Sequence, residues 1–477
     1  MDFVSPTFLV FVTVAVLLFH VSTHYVWRTS VLAVSNVLFI ASYVNSVVQL
    51  LPLGLFLLTS YVLVRLLERN KSRAVFVVAV CLTVGSYVYL KQYTVIDFLP
   101  HLGFPYLVVG LSYIFFRILH VMIDVHHGSL PAGLSAVSLF NYSCSFLTFP
   151  TGPIARYEDV PHGEQLGALS VSHSSAAESL SRVINGYIKI VFLSALMNFY
   201  HARCLEWMSQ FQSSAFLWVA YGLACVTYLL YLYLNFSGYM DVAIGFGLLF
   251  GLTLPENFNY PLSAGNFLEL WSRWHITLSE WFKFYIFNPI AKALMRRWNS
   301  PALMPYVGVF AYLITFVLMG VWHGSTTVFL VYGLFLGVGV SANKLYEILM
   351  RKKMGKRFGK LREKKTYQVC ARSFMLSYFG LALTCLWMDF AKLVYWAGEM
   401  GPVGILTAFL VGILVFTVVQ AAWLAVKAPI GRLAESVNGW SESFLVYQLS
   451  LTARVFFVVC VLFVQQLNVP ESVYRGF

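Results

Sequence analysis

Residues 404–426, "GILTAFLVGILVFTVVQAAWLAV", form an apolar run without a charged side chain. A helix needs about 20 residues to cross a hydrocarbon core of roughly 30 Å, so this run is long enough to span a bilayer. Its apolar residues do not alternate with polar ones, as the strands of a membrane barrel would. Because backbone amides in lipid must bond within their own segment, the run predicts a transmembrane helix.

Runs of the same kind recur along the chain, which has 477 residues, of which 59% are hydrophobic and 11% are charged. Soluble proteins carry about a quarter charged residues, so this composition is typical of an integral membrane protein. The first run lacks a basic start, so we expect a membrane helix there and no cleaved signal peptide. The predicted spans are 3–20, 31–48, 50–67, 74–90, 104–121, 133–149, 180–200, 215–236, 238–252, 304–321, 325–342, 373–392, 402–426 and 444–466. We predict one all-α polytopic membrane domain over residues 1–477.

Much of the positive charge lies in one segment, "RKKMGKRFGKLREKK" at 351–365. The segment holds nine basic residues and one acid, a local charge of +8 within a net charge of +12, which leaves +4 elsewhere. A basic patch can bind nucleic acid, but beside membrane helices the positive-inside rule favours a cytoplasmic loop near anionic headgroups. We predict a basic cytoplasmic loop over 343–372, with the bilayer as its partner and no nucleic acid.

The segment "WSRWHITLSEWFKFYIFNPI" at 271–290 is more polar than an ordinary span. Read as a helix, it places His275 at the edge of a face formed by Trp271, Trp274, Leu278, Trp281 and Tyr285. Arg273 lies on another side, where it can pair with Glu280 or Glu269. Aromatic rings suit headgroup depth and buried polar groups need partners, so the pattern predicts an interfacial or re-entrant helix.

A second histidine, His323, lies between two apolar runs and is flanked by Gly320 and Gly324. Ionisable groups at membrane depth are costly, and those that occur usually face a cavity or a pathway. The alternative is structural: His323 bonds a backbone carbonyl at a helix break, and the glycines let two helices approach. Spacing alone leaves both interpretations open for His323 and for His275.

Four stretches together carry a resemblance to a known family. Residues 235–287 begin "NFSGYMDVAIG" and end "ELWSRWHITLSEWFKFYIF", and "GVWHGS" follows at 320–325. Upstream lie "GLSYIFFRILHVMIDVHHG" at 110–128 and "FLTFPTGPIARYEDV" at 146–160. In this order they closely resemble the bacterial branch of the membrane-bound O-acyltransferases, which includes alginate and peptidoglycan O-acetylation proteins and the teichoic-acid D-alanylation protein. The resemblance spans the motif-bearing core, residues 104–340.

The resemblance implies a helical bundle around a central channel and two catalytic histidines. In this family an acyl group leaves a thioester donor on the cytoplasmic side and reaches a hydroxyl across or within the membrane. His323 matches the family's "WHG" histidine and is our candidate for the general base. His275 matches its "RWH" histidine and is expected to orient the donor or to stabilise charge on the thioester carbonyl.

Further side chains are candidates for the channel wall, each with a structural alternative. Asp241 can hold a histidine tautomer or an arginine, or it can form a structural salt bridge. Polar side chains between helices also often serve only to hold helices together. The channel candidates are Asn235, Ser237, Tyr239, Asp241, Arg273, Trp274 and Trp322.

The tail at 467–477 ends "NVPESVYRGF" and resembles a tyrosine-bearing C-terminal motif of D-alanylation and acetylation proteins. By that analogy Tyr474 is a candidate to accept the acyl group and pass it on; the alternative is a frayed tail.

These observations together predict a multi-pass O-acyltransferase of the bacterial inner membrane. By resemblance its donor is acetyl-CoA, and an extracytoplasmic transferase of the SGNH-hydrolase type passes acetyl groups to an envelope or secreted polysaccharide. The seven cysteines are scattered singly, so we expect no metal and no tightly bound cofactor. The alternatives are D-alanyl, lipid or protein acylation, a polytopic transporter, and an assembly scaffold.

Overall fold

The structure is a computed structural model that describes residues 1–131, 133–211, 215–298, 300–441 and 444–464. Within these ranges the chain is mostly helical, and its one strand-like contact is an antiparallel bridge between Phe258 and Trp274. The helices are α1 Pro6–His20, α2 Tyr25–Ala41, α3 Leu51–Arg69, α4 Arg73–Leu90, α5 Leu111–His127, α6 Ala136–Ser143, α7 His173–Tyr187, α8 Ala195–Gln210, α9 Ala215–Leu249, α10 Phe267–Trp271, α11 Ile276–Phe282, α12 Asn288–Arg297, α13 Val307–His323, α14 Thr327–Met354, α15 Lys356–Glu363, α16 Lys365–Ala382, α17 Phe390–Ser441 and α18 Phe444–Val464.

Eight helical segments of the described chain are long and apolar enough to cross a membrane. The shorter helices α1 and α2 are also apolar. The prediction of an all-α, multi-pass membrane protein is therefore confirmed. The eight segments are Val47–Arg69, Arg73–Leu90, His173–Gln210, Ala215–Leu249, Met304–His323, Thr327–Met354, Lys365–Leu386 and Phe390–Val426.

Several predicted span boundaries are wrong, because composition does not show where tertiary contacts stop or continue a helix. The predicted spans 215–236 and 238–252 form one helix, α9. Gly238 does not break this helix. A Cβ added at Gly186 of α7 would lie 2.8 Å from the carbonyl oxygen of Gly238, so these glycines allow α7 and α9 to pack closely. The predicted span 133–149 contains only the eight-residue α6, and the span predicted from residue 104 begins at Leu111.

The described chain forms two compact units. Unit 1 comprises Met1–Tyr187 and Phe236–Glu256, and unit 2 comprises Ile188–Asn235 and 257–464. The single domain over residues 1–477 stays a prediction, as do the functional boundaries of the core, the cytoplasmic loop and the tail.

In unit 1 the side chain of Arg117 organises the loop that follows α6. The side chain is 1% exposed and lies on α5, most of whose residues are buried. Its guanidinium donates hydrogen bonds to the carbonyl oxygens of Ser143 (2.9 Å), Thr148 (2.9 Å) and Pro153 (3.2 Å). Since buried polar groups must be satisfied, these bonds tie the loop to the helix.

In unit 2 the helices α13 and α14 pack closely through glycines. A Cβ added at Gly320 would lie 2.3 Å from the Cα of Gly333, and one added at Gly333 would lie 2.8 Å from the carbonyl oxygen of Phe316. Small residues let helix backbones approach in membranes, where packing is the main attraction between helices. This contact fixes the end of α13, which carries His323.

Candidate active site

The aromatic segment of unit 2 is not one continuous helix. It consists of the short helices α10 and α11, which are separated at Ser272–His275, and a π-helical turn follows at Lys283–Phe287. His275 has φ 45° and ψ 52°, in the left-handed region. For a residue with a Cβ this conformation is unfavourable, and such strain is held by surrounding structure, often at functional sites. The left-handed residue turns the chain between the two helices.

The strained backbone of His275 is held by its pairing with the preceding turn. The backbone N–H of Asn259 donates to the carbonyl of Arg273 (2.9 Å), and that of Ile276 donates to the carbonyl of Asn257 (3.0 Å). The side chain of Asn257 is fully buried. Its Oδ1 accepts hydrogen bonds from His275 Nδ1 (3.2 Å), the Thr277 backbone N–H (3.1 Å) and Thr277 Oγ1 (3.0 Å).

This network fixes the tautomer of His275. A backbone N–H can only donate, so the Asn257 atom that Thr277 contacts is the amide oxygen. Nδ1 of His275 must then carry the proton, and in the neutral ring the lone pair lies on Nε2. Burial and, second, the nearby His323 imidazole lower the pKa of His275 well below the usual histidine value. His275 is thus a neutral imidazole at pH 7, with Nε2 able to accept a hydrogen bond.

His323 is the last residue of α13 and is 4% exposed. Its ring packs edge-on against Trp322, with centroids 4.7 Å apart, and against Tyr332 of α14, with centroids 5.4 Å apart. The carbonyl end of a helix favours a positive charge. His323 is one of the groups that lower the pKa of His275, which indicates that the two imidazoles lie near each other in unit 2.

A cavity of about 210 Å³ lies between α11 and α13. One wall comes from Ile276, the residue after His275, and its neighbours on α11. The α13 wall ends at Met319, one helical turn before His323, so the next position on that face is His323 itself. Since a water occupies about 30 Å³, the cavity holds several waters or a short acyl group. The lining side chains are Leu268, Trp271, Ser272, Ile276, Ser279, Glu280, Phe282, Lys283, Phe287, Tyr312, Thr315, Phe316, Met319 and Val340.

The family follows from comparison with known proteins. Residues 75–387 match the model of the MBOAT, membrane-bound O-acyltransferase family. The chain belongs to this family. Both candidate histidines lie within the matched region.

Named relatives fall into three groups. The chain is 28% identical to the probable alginate O-acetylase of Pseudomonas fluorescens over 246 residues, 52% of this chain and 46% of the relative. It is 27% identical to the teichoic acid D-alanyltransferase of Bacillus subtilis over 241 residues, 50% of this chain and 59% of the relative. It is 38% identical to the peptidoglycan O-acetyltransferase of Helicobacter pylori over 127 residues, 27% of this chain and 23% of the relative. The chain thus spans less than half the length of the alginate O-acetylase it matches.

Among the other candidates in unit 2, Trp322 packs against His323, Trp274 packs against phenylalanine rings, and Arg273 faces an acid. Trp274 packs edge-on against Phe258 (5.3 Å) and Phe379 (5.1 Å). Arg273 Nη2 lies 2.8 Å from Glu269 Oε1, one of the two acids expected from the sequence. Trp322 lies against His323. Trp322 thus supports the His323 ring in the candidate site, and Trp274 packs among aromatic rings, whereas Arg273 and Glu269 are partly exposed.

The remaining candidates divide between the units. Asp241 lies in unit 1, where its Oδ1 is 3.2 Å from Arg182 Nε, so it holds an arginine, and Arg182 also contacts Glu256 at 2.6 Å. Tyr239, also in unit 1, donates to Asp2 Oδ1 at 3.2 Å. Ser237 is buried in unit 1 and Asn235 is buried in unit 2. Their role in a channel wall stays a prediction, and Tyr474 lies outside the described residues.

Asn257 is not among the site residues predicted from the sequence. Its signal is weak: an amide in the turn "PENFNY", among several polar residues of the same loop. No periodicity connects a loop amide with a histidine 18 positions later in the chain. We assign Asn257 as the positioning residue for His275.

The variant Asn257→Asp tests this positioning role. A carboxylate beside Nδ1 favours the imidazolium, so we expect it to raise the pKa of His275. The wild-type ring stays neutral down to acidic pH, whereas the variant should protonate at higher pH, and the acid limb of the acyl-transfer rate should move upward. Below the new pKa, a tenfold gain in proton affinity lowers the neutral fraction of the ring about tenfold. The measurement is a pH–rate profile. Asn259→Asp, at an exposed side chain nearby, is the control; identical profiles in both variants would contradict the role.

Proposed function

We propose that this protein moves an acyl group, acetyl in the first instance, from a cytoplasmic thioester donor across the membrane toward hydroxyls of an envelope or secreted polysaccharide. The observation that carries the proposal is the pair of buried imidazoles, His275 and His323, brought together from separate segments beside a cavity. Membership of the acyltransferase family and relatives named for acetylation of alginate and peptidoglycan support the same chemistry.

The two imidazoles suit different tasks. A general base becomes positively charged when it takes a proton, and the carbonyl end of α13 favours that charge on His323. His275 resists protonation because burial lowers its pKa. We therefore assign proton abstraction to His323. Nε2 of His275 accepts a hydrogen bond from the reacting hydroxyl or from the protonated ring of His323, and thereby orients that group.

In the proposed step, the hydroxyl proton of the acceptor moves to His323 as its oxygen forms a bond to the thioester carbonyl carbon. The carbon–sulfur bond then breaks, and the thiolate receives the proton from the imidazolium. Ester and free thiol are the products, and the histidine returns to its neutral form. No oxidant or metal is required for this balance.

A second candidate is D-alanyl transfer from a carrier protein, because the relative in Bacillus subtilis is named a teichoic acid D-alanyltransferase. Lipid or protein acylation uses the same chemistry with another acceptor. A transporter or an assembly scaffold needs no donor. Consumption of a thioester donor, and the identity of that donor, therefore distinguish these candidate functions.

The deciding experiment incubates the purified full-length protein in detergent with acetyl-CoA and measures release of free thiol. We expect thioester cleavage that increases when a polysaccharide acceptor and the separate extracytoplasmic transferase are added together. Release only from a D-alanyl carrier thioester would favour the second candidate. No release from any thioester, together with unchanged envelope acylation in cells carrying His323→Ala, would overturn the enzyme proposal.

The same incubation tests the proposed route beyond the channel. We propose that Tyr474 carries the acyl group as a phenolic ester to a separate extracytoplasmic transferase of the SGNH-hydrolase type, at the inner membrane of a bacterium. Mass spectrometry of the C-terminal peptide during turnover should then show the added acyl mass. An unmodified peptide in wild type, at full turnover, removes Tyr474 from the route.

A further inference from the structure

Unit 2 contains a second and larger cavity, whose lining includes neither His275 nor His323. Its volume is about 540 Å³, and α14, α15, α16 and the turn before α10 enclose it. We call it the α14–α16 cavity. Its lining residues are Gly265, Asn266, Phe267, Val338, Gly339, Ala342, Asn343, Tyr346, Glu347, Phe358, Arg362, Tyr367, Cys370, Ala371, Phe374, Met375 and Tyr378.

The cavity changes from polar to apolar along its length. Arg362 and Glu347, 3.6 Å apart, line it where α14 and α16 meet the basic segment. The hydroxyls of Tyr346 and Tyr367 lie 3.3 Å apart at the same level. Farther along α14 and α16 the wall is apolar, and it reaches Tyr378, whose ring would lie 2.7 Å from a Cβ at Gly339.

The length of the cavity matches one leaflet. From Glu347 to Val338 along α14 the rise is about 14 Å at 1.5 Å per residue. Half of a hydrocarbon core of roughly 30 Å is about 15 Å. Both helices are membrane-span candidates whose basic ends meet α15. The polar end of the cavity therefore lies at headgroup level, and the apolar part runs into the hydrocarbon.

Charge at the polar end points to an anion. The basic segment, residues 351–365, carries a net charge of +8, from nine basic residues and one acid. Most of its lysines and arginines are exposed. Arg362 lies over the ring of Phe358, with 5.9 Å between its guanidinium carbon and the ring centre. In addition, the buried Nδ2 of Asn343 meets no acceptor among the residues that the structure describes. A buried donor of this kind is costly unless it is satisfied.

We propose that the α14–α16 cavity binds one acyl chain of an anionic phospholipid, whose phosphate lies against the basic segment. The apolar wall takes the chain, and Asn343 Nδ2 donates to an ester oxygen of the lipid. Arg362 and the neighbouring lysines attract the phosphate, each basic group near the surface being worth about 1 kcal/mol, or roughly a fivefold change in affinity. The lipid belongs to the leaflet that the basic segment faces.

The test uses the full-length protein, purified in detergent, freed of lipid and titrated with phosphatidylglycerol or phosphatidylcholine under native mass spectrometry. We expect one phosphatidylglycerol to bind at least about fivefold more tightly than phosphatidylcholine. Ala342→Trp fills the cavity and should weaken binding more than about tenfold, because each excluded CH₂ costs about 0.8 kcal/mol. Leu334→Trp, at an exposed α14 position that does not line the cavity, is the matched control.

A second variant tests the headgroup contact independently of folding. Arg362→Gln changes a partly exposed side chain and should lower phosphatidylglycerol affinity about fivefold while leaving phosphatidylcholine unchanged. Equal affinities for the two lipids in wild type would overturn the proposal. So would displacement of bound phosphatidylglycerol by inorganic phosphate alone, which indicates a free-anion site, or by acetyl-CoA, which indicates a donor site.

Discussion

Replacement of His323 by alanine is expected to lower the acyl-transfer rate by about 10²–10⁴-fold, the usual contribution of a general base. The protein should still fold, because His323 is the last residue of α13. The substitution removes the packing of its ring against neighbouring side chains such as Trp322 and Tyr332. The measurement is free-thiol release per mole of protein, with protein abundance in the membrane fraction followed in parallel.

The matched control is His201→Ala. His201 is another buried histidine of unit 2; its Nδ1 lies 3.1 Å from the Ala224 carbonyl oxygen, and its ring packs against Trp387. This variant also loses a buried imidazole, so it should cost similar stability, yet it should keep the rate per folded molecule. Equal losses of rate in the two variants would mean that His323 is a structural histidine.

Gly320→Val should have the largest effect on stability. An added Cβ would lie 2.3 Å from Gly333 Cα and 2.6 Å from the carbonyl oxygen of Phe329, and backbone atoms cannot turn away as a side-chain end can. Overpacking typically costs about 1–3 kcal/mol, and we expect the upper end or more because α13 and α14 must separate. Thermal unfolding followed by size-exclusion chromatography in detergent measures it.

Gly308→Val supplies the comparison within the same helix. Its added Cβ would meet only Lys344 Cε at 3.5 Å, an ordinary contact. Both variants introduce the same β-branched residue, so intrinsic helix propensity changes alike. A melting temperature of Gly320→Val equal to that of Gly308→Val would show that the close approach of α13 and α14 contributes little.

Hydropathy predicts the fold class because each span must satisfy its own backbone in lipid, and that demand is visible in composition. Hydropathy does not predict helix boundaries where tertiary contacts determine whether a helix ends or continues. The residue pair Ser237 and Gly238 suggests a break, yet α9 continues through it. The apolar residues at 133–149 suggest a span, yet only Ala136–Ser143 are helical, and hydrogen bonds from Arg117 on α5 hold the segment that follows.

For the candidate site, the sequence identifies the two histidines because imidazoles are rare in apolar surroundings and these two match family motifs. The sequence does not identify the residues that position these histidines. A continuous helix is the simplest interpretation of the ring spacing at 271–290, whereas the left-handed backbone of His275 depends on Asn257 in a separate turn. Contacts between loops leave no periodic pattern in the sequence, so the position of Asn257 beside His275 could not be predicted from it.

The burial of Arg117 constrains when α5 reaches its final contacts. A buried guanidinium is costly unless hydrogen bonds satisfy it. The carbonyl oxygens that accept its hydrogen bonds belong to residues made later, as far as Pro153. The Arg117 side chain therefore reaches its final set of hydrogen bonds only after residues up to Pro153 have been synthesised, so the position of α5 depends on a segment that follows it in the chain.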